Sequence, residues 1–128
     1  MRILVTGAAG YIGSALARRL AAGGHDVVAT DQAARAAVIG NIAYPQFARS
    51  LVTREVGAVF HLASLVSGGA EQKFELGTKV NLDATRDLLE ACRLAGHRPK
   101  FLFASSIAVY GGGGEITDDN PPAPRPSL

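Results

Sequence analysis

The sequence predicts an α/β protein in which helices cover both faces of a parallel sheet. Strand-like and helix-like segments alternate along the chain, the strand-like segments are short and apolar, and a glycine-rich turn follows the first of them. Continuous apolar runs are typical of parallel strands, which are buried on both faces. The expected architecture is therefore a doubly wound sheet.

The first predicted unit is a strand, a helix and a second strand. Residues 2–5 form the first strand, Gly23 and Gly24 end the helix, and residues 25–30 form the second strand. Apolar residues at helical spacing predict the inner face of the helix. They are Ile12, Leu16 and Leu20.

The turn between this strand and helix has the spacing of a dinucleotide site. Gly7 permits a tight turn, Gly10 lets the backbone approach phosphate oxygens, and Gly13 lets the helix pack against the strand. Free N–H groups at the helix start can then face the anion. The pattern predicts a Rossmann-like sheet whose cofactor contacts include Gly7, Ala9, Gly10, Tyr11, Ile12 and Gly13.

Asp31 ends the second predicted strand, 24 residues after Gly7. A carboxylate at that point accepts hydrogen bonds from adenosine ribose hydroxyls and repels a 2′-phosphate, so it favours NAD over NADP. The alternative is a cap or turn residue. The end of a strand favours the cofactor role.

Composition limits the other classes of function. The 128 residues are 48% hydrophobic and 19% charged, enough for one compact domain with a core. The net charge of +2 comes from scattered basic residues, which argues against nucleic acid as a partner. Cys92, the single cysteine, excludes an internal disulfide and is expected to fill apolar space in a helix.

Membrane insertion and secretion are not expected either. The apolar stretches are too short to span a bilayer, and Met1 and Arg2 lead directly into the first strand without a signal peptide. The sequence therefore predicts a cytoplasmic protein.

The remaining elements continue the alternation. Strands are predicted at residues 36–39, 58–62 and 100–105, a helix begins at Pro45, and a long helix covers residues 74–95 and ends at Gly96. The connection between Asp31 and the third strand is too short for a crossover of about a dozen residues. Either the third strand is misplaced, or residues are missing there.

Five features in this order resemble the extended short-chain dehydrogenase/reductase family of NAD-dependent epimerases and dehydratases. They are Thr6-Gly7-x-x-Gly10-x-x-Gly13, Asp31, His61-Leu62-Ala63-Ser64, Asn81, and Ser105-Ser106-Ile107-Ala108-Val109-Tyr110-Gly111. Residues 64–71 and 74–77 are most similar to sugar-acid dehydrogenases of that family. The resemblance implies that NAD is the cofactor and a small molecule the substrate.

The resemblance also implies roles for single residues. Asn41 and Ile42 stand where the family usually carries an aspartate that hydrogen-bonds the adenine amino group. This sequence departs from that pattern, but the Asn41 side-chain carbonyl can accept the same bond. The segment Leu62, Ala63 and Ser64 is expected along the nicotinamide ribose. His61 is interpreted as structural.

Asn81 lies on an otherwise apolar helix face and needs hydrogen-bond partners. In the family it supports the active site, and the alternative is a buried helix-to-loop hydrogen bond.

Ser106 is the implied catalytic residue. It follows the fifth strand, where the family places the serine that hydrogen-bonds the reacting oxygen, and Ser105 is expected beside the cofactor. Either serine could instead be an ordinary turn residue. Tyr110 is not the general base, because the family uses a later Tyr-x-x-x-Lys pair whose lysine lowers the pKa of the phenol.

No Tyr-x-x-x-Lys pair occurs in this sequence. We expect residues 1–110 to be an incomplete NAD-binding domain, and residues 111–128 to be the Gly- and Pro-rich loop that precedes the catalytic helix in the family. The fragment is expected to be inactive, and a full-length protein could form a homodimer.

Two other classes of function remain open. A natural NAD-binding regulatory module would also lack the base, although Ser106 argues for an enzyme. A flavodoxin-like or nucleotide-free α/β domain leaves the spacing from Gly7 to Asp31 unexplained.

Overall fold

A computed structural model describes residues 1–125 and contains one five-stranded sheet in which all paired strands are parallel. The strands are β1 (Arg2–Thr6), β2 (Asp26–Asp31), β3 (Val38–Ile39), β4 (Val56–His61) and β5 (Lys100–Phe103). The α-helices are α1 (Tyr11–Ala22), α2 (Pro45–Ser50), α3 (Ser67–Gln72), α4 (Phe74–Thr78) and α5 (Ala84–Ala95). A π-helix (Lys79–Asp83) joins α4 to α5, and a 3₁₀-helix (Ile107–Tyr110) follows β5.

The strand order is β3-β2-β1-β4-β5, so the chain adds strands on one side of β1 and then continues on the other. The order reverses between β1 and β4, and ligands in open α/β sheets bind outside the carboxyl ends of strands at such a point. The fold therefore predicts where a site lies.

Successive side chains of β1 point to opposite faces of the sheet, and a hydrophobic core lies on each face. Leu4 is fully buried against α2 and α5, where it packs with Leu88. Ile3 and Val5 point to the other face, against Leu16 and Leu20 of α1. Ile12 does not share that inner face as predicted, because 68% of it is exposed.

The long helix predicted over residues 74–95 is divided by the π-helix. Its second half packs on the sheet as expected and ends at Gly96, whose φ of +77° is the left-handed conformation of a helix C-cap. Its first half does not pack on the sheet: Leu76 is 36% exposed. A π-helical turn within an α-helix changes which residues face inward.

The short connection after Asp31 does not displace the third strand. β3 contains only two residues, and these pair with Thr30 and Asp31 at the carboxyl end of β2. The chain therefore returns along a small part of the sheet and needs no helical crossover. The strand predicted at residues 36–39 is therefore present beside β2, but it is limited to Val38–Ile39.

Beyond the 3₁₀-helix, residues 111–125 contain no helix or strand. Among the described residues, no helix is long and apolar enough to cross a membrane.

An ion pair joins the two helices on one face of the sheet. Arg49 of α2 donates to Asp87 of α5 at 2.7 Å, and the Asp87 side chain is only 12% exposed. The pairing satisfies a carboxylate that would otherwise be costly to bury.

Leu88→Ala should lower the free energy of unfolding by about 2–5 kcal/mol, because it leaves a cavity in the core. Leu94→Ala, on the same helix but 65% exposed, is the matched control and should change it by less than about 0.5 kcal/mol. Urea unfolding measures both values. Equal effects of the two substitutions would contradict this packing of α5.

Candidate cofactor-binding site

A cavity of about 560 Å³ opens at the carboxyl edge of the sheet. This volume is in the roughly 300–1,000 Å³ range of ligand clefts. Residues that follow all five strands line it, so it lies at the point where the strand order reverses. Among the predicted cofactor contacts, the lining includes Gly7, Gly10, Tyr11, Ile12, Gly13, Asp31, Asn41, Ile42, Leu62, Ala63, Ser64 and Ser105.

The glycine-rich turn brings helix amides to this cavity. Gly7 has a φ of +68°, and a Cβ on it would lie 2.8 Å from the backbone nitrogen of Ala63. Gly10 is the N-cap of α1, so the N–H groups of the following residues lack carbonyl partners within the helix. Such groups, together with the helix dipole, favour an anion such as a pyrophosphate.

Asp31 is held in a fixed orientation at the end of β2. One carboxylate oxygen accepts from the Ala9 amide at 3.0 Å and the other from the Ala33 amide at 3.1 Å. A carboxylate has about four acceptor sites, so it can still accept from ribose hydroxyls.

Ala9 does not line the cavity. It is 7% exposed, its amide is occupied by Asp31, and its carbonyl accepts a hydrogen bond from the Arg35 guanidinium. In the structure, Ala9 therefore contacts Arg35 and Asp31, the second of which lines the cavity, and does not line the cavity itself. Arg35 brings a positive charge to the glycine-rich turn, and we did not predict it from the sequence.

Asn41 and Ile42 lie together after β3 on the cavity wall. The Asn41 side-chain oxygen accepts from the Ala43 amide at 2.9 Å. A carbonyl oxygen has a second lone pair, so it can still accept from an adenine amino group.

The segment after β4 approaches the glycine-rich turn closely. The Leu62 and Ala63 amides both donate to the Thr6 hydroxyl at 3.2 Å. Thr6 is 1% exposed, so this pairing satisfies buried polar groups. Thr6 opens the first of the five family features, but the sequence did not predict that its hydroxyl pairs with these amides.

Asn81 lies outside the cavity lining and supports it instead. Its side-chain oxygen accepts from the Leu65 amide at 2.8 Å, and its side-chain nitrogen donates to the Leu65 carbonyl at 2.9 Å. The helix-to-loop bond considered above is thus present, but it is exposed and not buried.

The two serines after β5 differ. Ser105 lines the cavity, whereas Ser106, the predicted catalytic residue, does not. The Ser106 hydroxyl accepts from the Ala108 amide at 3.2 Å and caps the 3₁₀-helix. Its hydrogen remains available for donation.

His61 has the structural position expected of it. It is 1% exposed, Nδ1 lies 2.7 Å from the Thr6 hydroxyl, and Nε2 lies 3.0 Å from the Thr85 hydroxyl. Burial lowers the pKa of His61 to about 4. The side chain is therefore neutral near pH 7.

Cys92 is half-buried and packs against the core, as the sequence predicts. Burial raises the pKa of its thiol, which disfavours the reactive thiolate.

Apolar residues on the far side of the cavity were not predicted as lining. Leu76 lies on this side, and Val80 both lines the cavity and packs against the core that contains Leu4 and Leu88. The additional lining residues on this side are Leu65, Val66, Leu76 and Val80.

Comparison with known proteins identifies relatives over most of the chain. A family model described as the NAD dependent epimerase/dehydratase family matches residues 3–127. A D-erythronate dehydrogenase from Cupriavidus necator is 46% identical over 131 residues, covering 88% of this chain and 40% of that protein.

Solved structures agree. A short-chain dehydrogenase/reductase superfamily protein from Agrobacterium tumefaciens with bound NAD has a TM-score of 0.84 and 30% identity, over 98% of this chain and 40% of that one. MoeE5 in complex with UDP-glucose and NAD has a TM-score of 0.83 and 34% identity, over 97% of this chain and 43% of that one. This chain thus spans about two fifths of these relatives, and the predicted Rossmann-like fold is confirmed.

The lowered pKa of His61 predicts a loss of stability in acid. Between pH 6.5 and about 4 the unfolded chain binds a proton at this residue and the folded chain does not. The free energy of unfolding therefore decreases as the pH falls through that window, by about 1.4 kcal/mol per pH unit from this group. An NMR titration should show a neutral His61 imidazole at pH 5. Titration near 6.5, the value for an unperturbed histidine, would contradict its burial.

Proposed function

This chain belongs to the NAD-dependent epimerase/dehydratase family, and we propose that it is the cofactor-binding part of an NAD-dependent oxidoreductase or epimerase/dehydratase. The single observation that carries the proposal is the cavity where the helix amides of α1 and the Asp31 carboxylate both lie. The proposed substrate carries a hydroxyl on a sugar acid or a nucleotide sugar. The similarity to D-erythronate dehydrogenase supports a sugar acid, and MoeE5 in complex with UDP-glucose supports a nucleotide sugar.

The residues present fit NAD. The α1 amides of Tyr11, Ile12 and Gly13 would hold the pyrophosphate, and Gly7 keeps that turn free of a Cβ. Asp31 would accept from the adenosine ribose hydroxyls.

The other contacts follow the walls of the cavity. Asn41 and Ile42 would lie beside adenine, and the segment Leu62, Ala63 and Ser64 would lie beside the nicotinamide ribose. When bound, NAD supplies a nicotinamide ring that accepts or donates a hydride.

Ser106 is the proposed catalytic residue of this chain. Its hydroxyl hydrogen can be donated to the reacting oxygen of a substrate, because the Ala108 amide occupies the oxygen and not the hydrogen. The neighbouring Ser105 connects this position to the cavity wall. We assign residues 1–110 to NAD binding and residues 111–128, of which 126–128 lie outside the described residues, to the segment that leads toward the substrate region.

A non-catalytic NAD-binding regulator is the second candidate, favoured by the absence of a Tyr-x-x-x-Lys pair from the sequence. Coding sequence after Leu128 distinguishes the two: such a pair there favours the enzyme, and its absence favours the regulator. A cytoplasmic location and a homodimer remain predictions.

Asp31→Asn should weaken NAD binding by about 10- to 100-fold and reduce the discrimination against NADP, because it removes the charge that the ribose hydroxyls meet. Asp26→Asn, at the other end of β2, is the matched control and should change neither affinity. Isothermal titration calorimetry with NAD and NADP measures both. Equal affinity of the unsubstituted chain for the two cofactors would be the contrary result.

The 128-residue chain should bind NAD without transferring hydride, since it lacks the tyrosine and lysine that exchange a proton with the substrate. NADH formation with D-erythronate is the assay, and the Cupriavidus necator enzyme is the positive control. Turnover above background by the purified chain would contradict this expectation.

A further inference from the structure

The hydroxyl of Thr6 has a defined direction. Its oxygen accepts from the amides of Leu62 and Ala63, each at 3.2 Å. A hydroxyl oxygen has two lone pairs, so these donors occupy both, and the hydroxyl hydrogen must be donated to another group. Nδ1 of His61 lies 2.7 Å away and accepts it.

The hydrogen of the His61 imidazole is therefore on Nε2. Nε2 lies 3.0 Å from the Thr85 hydroxyl and donates to its oxygen. Thr85 in turn donates to the backbone carbonyl of Asn81 at 3.0 Å. All the bonds from Thr6 to Asn81 thus run in one direction.

The side chain of Asn81 connects these hydrogen bonds to a residue that lines the cavity, Leu65. Its side-chain amide makes two bonds to the backbone of Leu65, at 2.8 and 2.9 Å. Leu62 to Leu65 are consecutive and all line the cavity. One end of this segment is therefore held by Thr6 and the other by Asn81, and His61 with Thr85 connects the two anchors.

We propose that His61, as the Nε2–H tautomer, is a positioning residue that closes a hydrogen-bonded ring and holds residues 62–65 in the shape that receives the cofactor. The ring consists of Thr6, His61, Thr85, Asn81 and the segment itself. This inference rests on the proposed cofactor site. Its consequence is that a hydroxyl on α5, outside the cavity lining, controls NAD affinity.

The tautomer tests the direction of the ring without a cofactor or a variant. In a ¹⁵N-labelled chain at pH 7, the His61 imidazole should show a protonated Nε2 and an unprotonated Nδ1. A hydrogen on Nδ1 would overturn the inference, whether or not the chain binds NAD.

Thr85→Val tests the effect on the cofactor, because it removes the hydroxyl and nearly preserves the shape. NAD affinity should fall about 3- to 10-fold, and the Leu65 amide should exchange its hydrogen faster. Thr85→Ser restores the hydroxyl and should restore both. Thr53→Val, which removes an exposed hydroxyl bonded to Glu55, is the control and should change neither.

The outcomes separate this inference from the proposed function. If the unsubstituted chain does not bind NAD, the proposed cofactor site is wrong, while the tautomer and the Leu65 exchange rate still decide whether the ring exists. If the chain binds NAD and Thr85→Val keeps full affinity with normal Leu65 protection, the positioning role is wrong. Lost affinity that Thr85→Ser does not restore would also contradict it.

Discussion

The close approach of two backbone segments, at Gly7 and Ala63, is the constraint on which the rest of the structure depends. A side chain at Gly7 would meet the Ala63 nitrogen at 2.8 Å, and Gly7 also has a φ of +68°. Both the contact and the conformation therefore require glycine. Because β1 and β4 are neighbours where the strand order reverses, this contact forms the floor of the cavity.

That approach also buries polar backbone, and the Thr6 hydroxyl compensates for it. The amides of Leu62 and Ala63 follow β4 and lie beyond its pairing with β1. The Thr6 hydroxyl accepts a hydrogen bond from both. Its own hydrogen then needs an acceptor, which explains why a neutral histidine occupies the end of a buried strand. Close packing of the two segments and the polarity of His61 are thus parts of one arrangement.

Much of the fold could be predicted from local pattern, because apolar strands and a glycine-rich turn depend on nearby residues. The helix over residues 74–95 was predicted as continuous, since the π-helix at Lys79–Asp83 is only five residues long and too short to show in the spacing of apolar residues. The length of β3 could not be predicted from the sequence pattern either. It depends on pairing with Thr30 and Asp31, which is a tertiary contact.

Residues of the site were predictable where they belong to a spaced motif, as Gly10 and Asp31 do. Arg35 and Thr85 were missed because their partners lie far away in sequence. Ser106 was assigned from a resemblance, and in the structure its hydroxyl caps a short helix outside the cavity lining.

The central claim is that a dinucleotide binds at the carboxyl edge of this sheet, between the start of α1 and the segment after β4. An amide NMR titration of the ¹⁵N-labelled chain with NAD tests it most directly. We predict that the largest shifts occur at Gly10, Gly13, Ala63 and Ser64. Saturating NAD that leaves these four amides unchanged, or shifts only residues elsewhere, would contradict the account.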